Sequence, residues 1–143
     1  MRLLKYFTLT IFFFSIGQIA AANGFKLPAI FIYESNKGYA EFSGTIFAKA
    51  NFTSSIEFAE IGGSEQCSGN TNKEGFGVIR CDGKFGRILF QIPKPPYGKF
   101  NGHVAFTNPK DGNSKNAIIW GKRKTKSFDD ALEDVRNSFR TLQ

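Results

Sequence analysis

The chain has 143 residues, a formal net charge of +7, two cysteines and one histidine. This length fits one domain, and so few histidines and cysteines cannot complete a typical zinc site. No metal ligand set and no cofactor motif is recognised. The positive charge favours anionic surfaces as partners, although a mixed, solvated surface explains the same value.

The first 22 residues have the layout of a cleavable export signal. Arg2 and Lys5 precede an apolar run from Tyr6 to Ala22, which ends in three alanines. Small residues at that point fit a signal-peptidase site. Four polar residues interrupt the run, and a membrane span needs about 20 apolar residues. We therefore predict a signal peptide over residues 1–22, a periplasmic or secreted location, and no transmembrane span in the mature chain.

Alternating apolar and polar residues predict seven or eight short β-strands between residues 23 and 126. The predicted strand segments are 27–34, 39–52, 55–61, 76–81, 85–92, 99–107 and 117–121. Turn residues separate them, among them Asp82-Gly83 and the proline-rich stretch 93–98. Glycines inside the segments, at Gly44, Gly77, Gly86 and Gly102, indicate curvature. We expect a mostly β domain, a small antiparallel barrel or sandwich, with the barrel favoured.

The last segment, residues 127–143, changes to a helical period. Ser127 and Asp130 resemble a capping box, with Asp in place of the usual Glu. Apolar residues then recur at the spacing of one helix face, at Phe128, Ala131, Leu132, Val135, Phe139 and Leu142. This pattern predicts an amphipathic C-terminal helix that packs on the β domain.

The two cysteines, Cys67 and Cys81, predict a structural disulfide in an oxidising compartment. Residues 68–75 between them are polar and rich in Gly and Asn, which is typical of a hairpin tip. Closing a loop of about 15 residues stabilises a fold by roughly 3 kcal/mol in the chain-entropy model.

Catalytic constellations are weak in this sequence. His103 is the only histidine, and the alternation places it on the polar face of a strand. It is the one candidate general base, and a solvent-facing histidine without a function explains the same position. Glu57 and Glu60 are spaced to lie on opposite faces of a strand. No catalytic residue is assigned, and whether the chain is an enzyme stays open, with a non-enzyme favoured.

A basic run and a high phenylalanine content are the remaining features. Lys122, Arg123, Lys124 and Lys126 form a possible anion-binding patch, and a solvated linker explains them equally well. The chain has 17 phenylalanines, and four of them lie in the predicted signal peptide. The others predict either a filled core or a cavity for an apolar ligand.

Three functions follow from these features. The first is an exported, non-enzymatic binding module for an anionic envelope component or another exported protein. The second is a carrier of a small apolar molecule inside the barrel. The third is a small hydrolase that uses His103 or a carboxylate. Nucleic acid is not an expected partner.

Overall fold

The computed structural model describes residues 24–92, 101–121 and 127–142. Within these ranges the chain forms eight strands, a short 3-10 helix at Pro109–Asp111 and one α-helix. The elements are β1 (Gly24–Ser35), β2 (Gly38–Lys49), β3 (Ser54–Glu60), β4 (Gln66–Thr71), β5 (Phe76–Cys81), β6 (Arg87–Gln91), β7 (Asn101–Asn108), β8 (Ser114–Gly121) and α1 (Phe128–Arg140). The predicted signal peptide and the proline-rich loop 93–98 lie outside the described residues.

The eight strands form one antiparallel sheet in the order β6-β5-β4-β3-β2-β1-β8-β7. The first six strands follow one another as a meander, and the β7-β8 hairpin then returns so that β8 pairs with β1. The sheet curls into a half-barrel with β6 and β7 at its edges. This architecture confirms the predicted mostly β fold with one C-terminal helix.

Strand β4 differs from the sequence prediction. Residues 68–71, predicted as part of a hairpin tip, continue the strand, and the turn lies at residues 72–75. Ser68 and Asn70 are exposed, whereas Cys67 and Thr71 are buried. The alternation was hidden because the outward residues are small and polar and Gly69 occupies an inward position.

Glycines allow neighbouring strands to approach closely where the sheet bends. A Cβ atom at Gly44 or Gly77 would overlap a backbone carbonyl oxygen of the adjacent strand, and one at Gly102 would overlap the Trp120 indole. Gly86 was predicted inside a strand and lies instead in the β5–β6 turn with φ of 58°. Its positive φ is a backbone conformation that glycine adopts without a steric cost.

Apolar side chains on the concave side of the sheet form the main core. Five phenylalanine rings are linked through contacts with centroid separations between 5.1 and 6.1 Å. These rings belong to Phe31, Phe42, Phe58, Phe85 and Phe90. Aromatic contacts of this kind stabilise a fold by about 0.5–1.5 kcal/mol each beyond the area that they bury. The rings therefore fill the concave side where they meet.

A second core lies between the convex side of the sheet and the helix α1. It contains Ile30 and Ile32 of β1, Ala117 and Ile119 of β8, and Leu132, Val135 and Phe139 of α1. As predicted, the Ser127 hydroxyl caps the helix by accepting a hydrogen bond from the Asp130 N–H at 3.2 Å. The apolar stripe is confirmed except at its start, where Phe128 is 50% exposed. No helix of the described ranges is long and apolar enough to cross a membrane.

A bidentate ion pair attaches α1 to strand β2. The Arg136 Nε donates to Glu41 Oε2 at 2.6 Å, and its Nη2 donates to Oε1 at 2.8 Å. Tyr39, two residues before Glu41, packs edge-on against Phe139 at 5.6 Å between centroids. Hydrogen bonds from Arg136 hold the pKa of Glu41 below its usual range, despite the opposing effect of burial.

Loss of the disulfide is expected to destabilise the fold. Cys67 and Cys81 are bonded and lie directly opposite each other on β4 and β5. Replacing both with Ala should lower the free energy of unfolding by about 3 kcal/mol, because the unfolded chain gains the freedom of the opened loop. Urea denaturation measures this, and a reductant should lower the stability of the wild type alone. Equal stability of variant and wild type would contradict the expectation.

The Glu41–Arg136 pair is expected to make stability depend on pH. Because the pKa of Glu41 is lowered in the folded state, its contribution is complete above the unfolded-state pKa and disappears as pH falls through the folded-state pKa. Glu41→Gln should therefore cost about 1 kcal/mol at neutral pH and little in acid. Denaturation curves across this range measure the difference. Glu34→Gln, at a looser and more exposed pair with Lys115, is the control; a Glu41 effect independent of pH would contradict the account.

Candidate binding face

The predicted functional residues fall in three different places. The basic patch Lys122, Arg123, Lys124 and Lys126 lies outside the described residues. His103 lies on β7, half-buried, on the same side of the strand as Ala105, which packs against the helix-side core. The face that the alternation marked as polar is thus turned toward the side that α1 covers. The disulfide joins β4 and β5 and is structural.

Four polar side chains at one end of the barrel form a hydrogen-bond network. The Tyr33 hydroxyl donates to Asp111 Oδ2 at 2.8 Å, and the Ser114 hydroxyl donates to the same oxygen at 3.3 Å. Asn116 Nδ2 donates to Ser114 Oγ at 3.0 Å. Burial, followed by the bond to Asp111, raises the pKa of Tyr33 to about 12, so the phenol stays protonated at neutral pH. This network fastens the loop between β7 and β8 to β1.

The convex side of the sheet is divided into two halves. Helix α1 packs on β1, β7 and β8 and reaches β2 through the ion pair with Glu41. The 3-10 helix Pro109–Asp111 contacts β6, and its Lys110 ammonium lies 5.0 Å from the centre of the Phe76 ring at the edge of the sheet. No other described element packs on the convex side of β2–β6, which we call the uncovered face. Its side chains are Ser43, Thr45, Phe47, Ser55, Glu57, Ala59, Gln66, Ser68, Asn70, Phe76, Val78, Arg80, Arg87, Leu89 and Gln91.

Strand pairing aligns these side chains in rows across the sheet. One row runs Thr45, Glu57, Ser68, Arg80, Arg87, from β2 to β6. Because adjacent strands lie about 4.8 Å apart, the Cα atoms of Glu57 and Arg80 are about 10 Å apart, and Ser68 lies between them. The row therefore presents two hydroxyls, one anionic group and two cationic groups along a single line.

The charged residues of this row have no partner among the residues that the structure describes. Glu57, Arg80 and Arg87 are exposed, and none forms an ion pair or a side-chain hydrogen bond with another residue of the described ranges. On the covered half, by contrast, the carboxylate of Glu41 is matched by Arg136. The uncovered face thus keeps charged and hydrogen-bonding groups available to a ligand.

A shallow groove follows the middle of the uncovered face. It has a volume of about 660 Å³, and Ser43, Thr45, Glu57, Gln66, Ser68 and Arg80 line it together with the disulfide. Most of these side chains are short, so the groove is wide and open rather than enclosed. It suits a polar ligand that lies across several strands, and it does not enclose a reacting group away from water.

Other acidic residues do not form a second centre. Glu65 is buried, and its Oε1 accepts a hydrogen bond from the Phe85 N–H at 3.0 Å, which fixes the β5–β6 turn. Glu60 Oε2 accepts a hydrogen bond from the Glu65 N–H at 3.3 Å. Within the described ranges, no three His, Cys, Asp or Glu side chains are grouped so that they could hold a metal ion.

Comparisons with protein-family models, with curated proteins and with solved structures find no match to this chain. The geometry of the uncovered face is therefore the basis for assigning a function.

Glu57, Arg80 and Arg87 are not recognisable as a group from the sequence alone. They come from three strands and meet only through the strand register, which a single sequence does not show. The available signal was the alternation in β5 and β6, where Ile79 and Ile88 are buried and each arginine next to them must point outward.

The groove is expected to depend on the close approach of β2 and β3 at Gly44. Gly44→Ala should lower the free energy of unfolding by about 1–3 kcal/mol, since its Cβ would overlap the Glu57 carbonyl oxygen. Ser43→Ala, a neighbouring change on the outward side, should stay within about 0.5 kcal/mol of the wild type. Urea denaturation separates the two, and equal effects would show that the close approach is unimportant.

Proposed function

We propose that the protein is an exported, non-enzymatic binding module that holds a polar component of the cell envelope on its uncovered face. The observation that carries this proposal is the row Glu57, Ser68, Arg80, whose charged side chains are exposed and unpaired within the described ranges. Charged groups that have no partner in the folded chain contribute little to its stability, and they are free to bind a ligand.

Export is part of the proposal and rests on two supports. The N-terminal residues have the layout of a signal peptide, and the Cys67–Cys81 disulfide is consistent with an oxidising compartment. We place the protein in the periplasm or outside the cell.

The two other functions receive less support from the geometry. A carrier needs an empty interior, and the concave side between Phe31, Phe58 and Phe90 is filled by ring contacts. A hydrolase that uses His103 needs the imidazole to meet substrate, and this residue lies on the side of β7 that faces the helix.

A nuclear magnetic resonance titration tests the proposal. Isotope-labelled mature protein is titrated with soluble peptidoglycan fragments and with neutral and acidic oligosaccharides. We expect saturable shifts of the amide signals of β2–β6 with at least one of these probes. Ser68→Tyr should block them, because its ring would cover the middle of the groove. Thr107→Tyr, at an exposed strand position on β7, should leave them unchanged.

Three results would contradict this function. One is the absence of any shift across the whole panel. Another is a set of shifts confined to the helix or to the end of the barrel near Tyr33. The third is turnover of generic ester, glycoside, peptide or phosphate substrates by the purified protein.

A further inference from the structure

Arg80 and Arg87 lie directly opposite each other on β5 and β6. Two backbone hydrogen bonds, one near each end of the β5–β6 pair, show which opposite residues are hydrogen-bonded. They run from the Cys81 N–H to the Gly86 carbonyl and from the Ile92 N–H to the Gly75 carbonyl. Since hydrogen-bonded and non-hydrogen-bonded pairs alternate, the two arginines form a non-hydrogen-bonded pair. In such pairs the Cα atoms are about 4.5 Å apart and the side chains are at their closest.

This arrangement places two like charges side by side on the uncovered face. Like charges directly opposite each other on a sheet destabilise it, and no acidic side chain of the described ranges forms an ion pair with either arginine. The nearest acid in sequence, Asp82, is turned toward β4, where its Oδ1 accepts a hydrogen bond from the Gln66 N–H at 2.9 Å. Glu57 and Asp82 line the same groove as Arg80, but within the described ranges neither arginine is neutralised by an ion pair.

The chemistry of the pair selects a planar anion. A guanidinium group presents its donors as a fork that fits the two oxygens of a carboxylate. Two guanidinium groups side by side supply such forks from two directions.

The other residues of the row, Thr45, Glu57 and Ser68, indicate the chemistry of the rest of the ligand. Ser68 and Thr45 offer hydroxyl groups, and the Glu57 carboxylate accepts hydrogen bonds from the hydroxyls of a neutral sugar. Glu57 would repel a lipid surface or a nucleic acid, both of which carry a continuous array of negative charge. A glycan in which an acidic sugar adjoins neutral sugars satisfies both ends of the row.

We propose that Arg80 and Arg87 together bind the carboxylate of an acidic sugar, with the neutral part of the glycan lying over Ser68 toward Glu57. This inference rests on the proposed binding function of the uncovered face and names its ligand class. The arginine pair sets specificity for the acid, and the polar row sets the direction of the chain.

The test uses two probes that differ only in charge. One is a xylotriose that carries a single glucuronic acid, and the other is the methyl ester of the same molecule. Calorimetry with the mature wild-type protein should show saturable binding of the acid and at least about tenfold weaker binding of the ester, the loss expected for one charge-assisted contact.

Variants assign the effect to the arginine pair. Arg80→Gln with Arg87→Gln should weaken binding of the acid by about tenfold or more and leave binding of the ester unchanged. Lys26→Gln with Lys73→Gln removes the same charge from exposed positions elsewhere and should bind like the wild type. The arginine variant should unfold at the wild-type urea midpoint or above it, because a repulsive pair has been removed.

The outcomes separate this inference from the function on which it rests. Equal binding of acid and ester with shifts on β2–β6 would overturn the carboxylate site and leave the glycan-binding face in place. Unchanged acid binding by the arginine variant, or no binding of either probe by the wild type, would also overturn the carboxylate site. A failure of the whole oligosaccharide and peptidoglycan panel would remove the binding function itself.

Discussion

The curl of the sheet depends on aromatic packing along its concave side. Phe31 contacts Phe42, Phe58 and Phe90 with centroid separations between 5.1 and 6.0 Å, so residues from β1, β2, β3 and β6 meet at one ring. Because these rings carry no polar group, they are most stable when the sheet wraps around them and excludes water. Glycines such as Gly44 allow the strands to follow that curvature.

The curl of the sheet turns its convex side outward, and the two halves of that side differ in the polarity of their side chains. One half is apolar at Ile30, Ile32 and Ile119, and α1 buries it. The ion pair between Glu41 and Arg136 lies at the boundary and fixes the helix over β1, β7 and β8. The other half carries short polar side chains and charges that form no ion pair within the described ranges, so it remains available for a ligand. The covered half adds a second core to the stability of the fold, and the uncovered face carries the proposed function.

The fold could be predicted from sequence where a local pattern decides the outcome. The helix followed from its apolar spacing and the Ser127 cap, and the disulfide followed from two cysteines in a chain with a predicted export signal. Strand β4 could not be seen, because its outward residues Ser68 and Asn70 have the composition of a turn. The pairing of the two arginines could not be predicted for another reason. Arg80 and Arg87 are seven residues apart in sequence, and only the length of the β5–β6 turn places them opposite each other.

A crystal structure of the mature protein with the glucuronic acid-bearing oligosaccharide would test the binding face most directly. The account predicts that the carboxylate lies between the guanidinium groups of Arg80 and Arg87, and that the neutral sugars extend over Ser68. A ligand bound among the phenylalanine rings of the concave side, or at the barrel end near Tyr33, would contradict it and favour a carrier.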